Sequence, residues 1–167
     1  MEQLEKFTKT ETKIIIIIFL FLTLVFGFNL SISMRKGRDA TRKDDLSALQ
    51  KGLESYLAKY GTYPLSSEDG KIVGCFNGQD PILDPYSNRP VNANACEWGQ
   101  SNFENMPTLP RDPSYKDGRS YLYISDGENY QIYVSLEGKT EAEYNKETES
   151  QNLQCGNQIC NYGRGVN

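Results

Sequence analysis

The sequence predicts an α+β chain in which a long N-terminal helix, transmembrane first and amphipathic after, packs on a small antiparallel β-sheet. Three observations carry this reading. Ile14 to Met34 is a run of 21 residues without a formal charge. Leu46, Leu49, Leu53, Tyr56, Leu57 and Tyr60 then recur at helical spacing on an otherwise charged stretch. Finally, "SYLYISDGENYQIYVSLE", Ser120 to Glu137, alternates its apolar residues on both sides of Asp126-Gly127.

The apolar run is read as a membrane span. At about 1.5 Å per residue, a helix of that length matches a hydrocarbon core of about 30 Å. A cleaved export signal has a shorter apolar region of about 7 to 15 residues and a small-residue cut site, which Ser31 and Ser33 only imitate before Arg35-Lys36. A buried core helix needs partners all round its apolar surface, and no other segment supplies them. The expected segments are a short polar start at 1–13, the span at 14–34 and an amphipathic continuation at 35–61. If Gly37 is absorbed without a break, Ile14 to Tyr60 is one rod about 70 Å long. Gly61 and Pro64 end it, since glycine tolerates the left-handed cap and proline cannot continue the ladder.

Residues 62–137 are read as loop and antiparallel sheet. Gly, Pro, Asn, Asp and Ser punctuate 64–100, with one short strand expected at Ile72 to Phe76. The hairpin follows, with Leu122 and Ile124 alternating with Tyr121 and Tyr123, and Tyr130, Ile132, Val134 and Leu136 on one face of the second strand. Residues 138–167 read as a polar tail carrying a cysteine pair.

Composition narrows function. Of 167 residues, 18 are Lys or Arg and 22 are Asp or Glu, a net charge of −4 that sets nucleic acid aside as a partner. There is no histidine, which removes the commonest general base and metal ligand. No Ser, Cys or carboxylate pair comes with a recognisable base, so no catalytic residue and no enzyme activity is expected.

Arg38 to Pro64, "RDATRKDDLSALQKGLESYLAKYGTYP", and the later strings "MPTLPRDP" and "YLYISDGENYQIYVSLE" resemble type IV pilins and type II secretion pseudopilins. The resemblance covers about 35 to 137. It implies a non-catalytic structural subunit whose helix meets membrane lipid, like subunits and other pilus or secretion components. In that family a glycine precedes the cleaved bond and Phe-Thr-Leu-Ile-Glu follows it. Here "KFTKTE" places Phe7, Thr8 and Glu11 in pattern, but Lys6 where the small residue belongs. Phe7 and Glu11 are therefore the assembly and signal residues the resemblance implies, and an uncleaved chain retaining Met1 to Lys6 is the expectation. The alternative is an uncleaved, membrane-anchored binding domain of pilin-like fold that does not assemble. Its binding surface would be the sheet face or the loop of residues 65 to 110.

Topology pits two signals against each other. Lys6, Lys9 and Lys13 precede the span, whereas Arg35, Lys36, Arg38, Arg42 and Lys43 follow it, so charge alone puts the carboxyl side in the cytoplasm. Four cysteines in a loop-rich region read instead as two disulfides formed outside a reducing cytosol, and the resemblance points the same way. The expected state is a single-pass protein of the cytoplasmic membrane, amino end inside and carboxyl domain outside.

Four cysteines permit three pairings. The sequence-local one, Cys75–Cys96 and Cys155–Cys160, is expected, with a Cys₄ zinc site and free thiols as the other readings. Asp112, Asp117 and Asp126 are calcium candidates by analogy with some pseudopilins, although the same residues serve ordinary turns, and no metal or cofactor is assigned. Tyr121, Tyr123 and Tyr133 are read as sharing one sheet face, either as a partner surface or packed beneath loop and tail.

Overall fold

The computed structural model describes residues 9–166. Their contacts separate two units, divided between Gly37 and Arg38. Helix α1 runs Lys9–Tyr60 with no interruption at Gly37. Among the described residues it is the one helix long and apolar enough to cross a membrane. In the first unit every described residue from Thr10 to Met34 is exposed.

In the second unit the same helix becomes the spine of a domain. Leu46, Leu49, Leu53, Tyr56 and Tyr60 are buried, with Leu57 half-covered beside them. The spacing alternates three and four residues, so one stripe follows the axis and stays against the core. Gly61 ends the helix at φ +75°, its N–H donating to the Leu57 carbonyl at 2.8 Å. That is the left-handed cap its position predicts.

Strands β1 (Leu65–Ser66), β2 (Ile72–Cys75) and β3 (Asn94–Ala95) form one antiparallel sheet in that order. A 3₁₀ turn at Tyr115–Asp117 leads to β4 (Leu122–Ser125) and β5 (Tyr130–Val134). Asp126 closes the hairpin turn, its carboxylate accepting from the Glu128 and Asn129 N–H groups. Beyond it lie α2 (Lys146–Ser150), the small β6–β7 hairpin (Gln154–Cys155 and Gln158–Ile159) and β8 (Tyr162–Val166).

The segment expected to be a polar tail is thus structured. Strand β8 pairs antiparallel with β5 and completes a β4-β5-β8 sheet. Asn161 locks the return, its side chain accepting from Leu136 N–H and donating to the Leu136 carbonyl. The core gathers the helix stripe, Ile72, Phe103, Leu109 and the inner sheet face of Tyr121, Tyr123, Tyr130, Ile132 and Val134 into one cluster.

Candidate functional site

Two features stand out from ordinary packing, one in each unit. The first is the bare surface of α1. Between Ile14 and Met34 the large apolar residues are 41 to 71 % exposed, so the domain's own core uses none of them. Thr23, Leu24, Gly27, Phe28 and Ser31 line a shallow groove along this surface. Two of the polar side chains here are satisfied within the helix: Thr23 Oγ1 donates to the Leu20 carbonyl at 2.9 Å, and Asn29 Nδ2 to the Val25 carbonyl at 2.9 Å. Satisfaction of that kind is what lets such residues sit in hydrocarbon. A Cβ at Gly27 would meet nothing within 4 Å. Glycine inside a helix costs about 0.5–1 kcal/mol relative to alanine, and no described residue packs against Gly27 to require it there.

The second feature is a buried ionic cluster at the start of the part of α1 that belongs to the second unit. Arg42 has no exposed side-chain surface. Its Nε and Nη2 grip Asp112 in a bidentate pair at 2.8 and 2.9 Å, and its Nη1 donates to Asp39 at 2.8 Å and to Glu137 at 2.9 Å. Asp39 in turn accepts the backbone N–H groups of Glu137 and Gly138, both at 2.9 Å. Arg38 forks onto both oxygens of Glu137, its Nε donating at 2.8 Å to the Oε1 that Arg42 also reaches. Burial alone would lower the Arg42 pKa, but its bonds to Asp112, Glu137 and Asp39 outweigh that and raise it. The Arg38 hydrogen bond, helped by Arg42, holds the Glu137 carboxyl down to about 2. One turn further along, the Tyr121 hydroxyl donates to Asp45, and burial raises the pKa of both groups.

One sequence expectation is corrected here. Tyr121 and Tyr123 are buried in the core, and Tyr133 is not on their face. Directly opposed residues of an antiparallel pair share a face, and Tyr123 opposes Ile132 whereas Tyr133 opposes Leu122. The three tyrosines therefore form no common partner surface. Of the calcium candidates, Asp112 is engaged by Arg42. Asp126 serves its own turn, and the Asp117 backbone carbonyl accepts from Asn157 Nδ2 at 2.6 Å. Among the described residues no group of three or more His, Cys, Asp or Glu is placed to hold a metal.

Glu11 lies exposed in the first described turns of α1; Phe7 falls outside the described residues. The cysteines join as Cys75–Cys96 and Cys155–Cys160, all four buried. The second pair closes the β6–β7 hairpin, which is tied to the 3₁₀ turn by Asn157 N–H to the Gly118 carbonyl at 2.9 Å. Alkylation of the unreduced, folded chain is therefore expected to label no cysteine, and peptide mapping to recover Cys155 joined to Cys160. Labelling of all four would contradict both bridges.

Sequence reasoning counted Arg42 only among charges flanking the membrane. The available signal was spacing: Asp39 and Arg42 precede Leu46, Leu49 and Leu53 at the same three-and-four interval, so they continue the buried stripe. Comparison with family models, curated proteins and solved structures finds no match to this chain.

Proposed function

We propose that the chain is a pilin-like or pseudopilin-like structural subunit. Residues 14–34 anchor it in the cytoplasmic membrane, amino end inside and domain outside, and pack with like helices in a type IV pilus or type II secretion-type filament. It performs no catalysis in this role. The observation that carries the reading is the contrast along α1, whose soluble half is spent on the domain core while its apolar half is wholly uncovered. Gly27 supports it. Small residues let membrane helices approach closely, and a glycine that the chain's own packing does not need is accounted for by a neighbouring helix. Two disulfides favour a domain exposed to an oxidising compartment.

A second reading is favoured by Lys6, a poor fit for the cut site of the resembled family. In it the same fold serves as an uncleaved anchored binding domain without assembly. Shearing of cells that express the full chain, followed by high-speed sedimentation, separates the two. Assembly predicts the subunit in the sheared, sedimenting fraction, with a large loss for Gly27→Leu and no loss of membrane insertion. A chain found only as an unassembled membrane protein contradicts the filament reading and leaves the anchored domain.

A further inference from the structure

We infer that a cleft in the soluble domain, between the end of α1 and the loop closed by Cys75–Cys96, is a binding site for a small organic carboxylate with an aromatic or branched aliphatic body. The site is independent of the assembly proposed for the membrane helix.

Both walls are held in place by the fold. One wall is the turn after α1, where Thr62 Oγ1 donates to the Gly127 carbonyl at 2.6 Å and Tyr63 N–H to the same carbonyl at 2.9 Å. Tyr123, from the sheet, donates its hydroxyl to the Pro64 carbonyl at 2.7 Å. The other wall is the return leg of the disulfide-closed loop. Val91 N–H donates to the Ile82 carbonyl at 2.8 Å, Asp84 N–H to the Arg89 carbonyl at 2.9 Å, and Ile82 N–H to Asn92 Oδ1 at 2.8 Å. Asp84 caps the loop's tip by accepting from Tyr86 N–H, Ser87 N–H and the Ser87 hydroxyl. These bonds fix a loop whose apolar side chains add little to the core, Val91 being 65 % exposed.

The cleft is half open, with a volume of about 240 Å³. An apolar cavity of about 150 Å³ takes benzene, so this one admits a ring or branched chain with a short acid arm. Its apolar lining comes from Tyr63, Pro64, Leu65, Val73, Pro90 and Val91. Two polar groups give it direction. Arg89 lines the cleft, and its guanidinium makes no hydrogen bond or ion pair with a described residue. Tyr56, 98 % buried, also lines it, with a hydroxyl that has no hydrogen-bond partner among the described residues. The exposed Arg89 guanidinium presents a fork matched to a carboxylate, and Tyr56 brings a phenol donor to the same lining. Few convergent polar groups in an otherwise apolar cleft are the usual composition of a small-molecule site.

The test is equilibrium dialysis of the full chain in lipid nanodiscs against 3-phenylpropanoate and its amide, with empty nanodiscs as the partition control. Saturable binding of the acid, at least about tenfold tighter than the amide, is expected. Arg89→Gln should remove that preference while leaving amide binding and thermal unfolding unchanged. Val91→Asp, at an exposed position, should weaken both probes. Acid uptake no greater than in empty nanodiscs overturns the site, and so does equal binding of acid and amide, or an unaltered preference in Arg89→Gln. Binding of a peptide ending in phenylalanine without binding of the free acid also overturns the proposal, because it assigns the cleft to a protein partner.

Discussion

Leu53→Asp is expected to abolish the folded state of the soluble domain. Leu53 is fully buried in the middle of the helix stripe, within the cluster that includes Ile132 and Val134. Truncating such a leucine costs about 2–5 kcal/mol, and placing a carboxylate there adds a desolvation cost with no partner to offset it. Against a total stability of about 5–15 kcal/mol, little or nothing remains. Lys51→Ala, two residues away on the exposed face, should leave the melting temperature almost unchanged. Near-ultraviolet circular dichroism of residues 38–167, which reads the packed tyrosines, distinguishes the two. A Leu53→Asp variant that melts like the parent would show that α1 is not the spine of this domain.

Arg42→Ala is expected to be nearly as damaging. The arginine neutralises Asp39, Asp112 and Glu137, and Asp39 and Asp112 are fully buried. Removing one member of a buried ionic group typically costs about 3–5 kcal/mol, because the remaining charges lose their partner but stay desolvated. Replacing the whole group with apolar residues of similar volume is a different experiment and carries a much smaller expected loss. The cluster also sets an acid limit. Glu137 is held at about 2 in the fold against an ordinary 4.5. A depressed folded value means that its contribution is complete above pH 4.5 and is lost as pH falls from there through about 2. Glu137→Gln should therefore lower stability at pH 7 and flatten its dependence on pH between those values. A parent-like acid profile in that variant would show that Glu137 is not the group responsible.

The parts of the fold that were legible in the sequence are those where the side-chain period survives. Leu46, Leu49, Leu53, Tyr56 and Tyr60 keep the helical interval, and Leu122–Ser125 with Tyr130–Val134 keep the two-residue one around a turn-forming Asp-Gly. Strand β8 was not legible because Gly163 and Gly165 erase one of its two faces. A Cβ at Gly163 would come within 2.6 Å of the Tyr133 ring, and one at Gly165 within 2.0 Å of the Tyr130 carbonyl. The neighbouring strand occupies that space, so glycine is required where strand propensity disfavours it. Tyr133 was assigned to the wrong face because alternation within each strand does not reveal which residues of two strands stand opposite; register does. The ionic cluster was hidden for another reason. The three-and-four spacing marks Arg42 as facing the core, but Arg42 and Asp112 are 70 residues apart, so no local pattern names the carboxylate that would meet it there. The cleft beside Arg89 likewise arises only when the 62–65 turn and the 89–93 leg are brought together.

The central claim is that the uncovered half of α1 is a surface for other copies of itself. Single cysteines placed in turn from Leu20 to Ser31, in cells expressing the otherwise native chain, test it most directly, since the four native cysteines are already paired and buried. Oxidative cross-linking in intact membranes is expected to give dimers with a helical period, strongest at positions 23, 27 and 31, where small side chains open the groove. Cross-linking absent at every position, or equally weak all round the helix, would contradict the account.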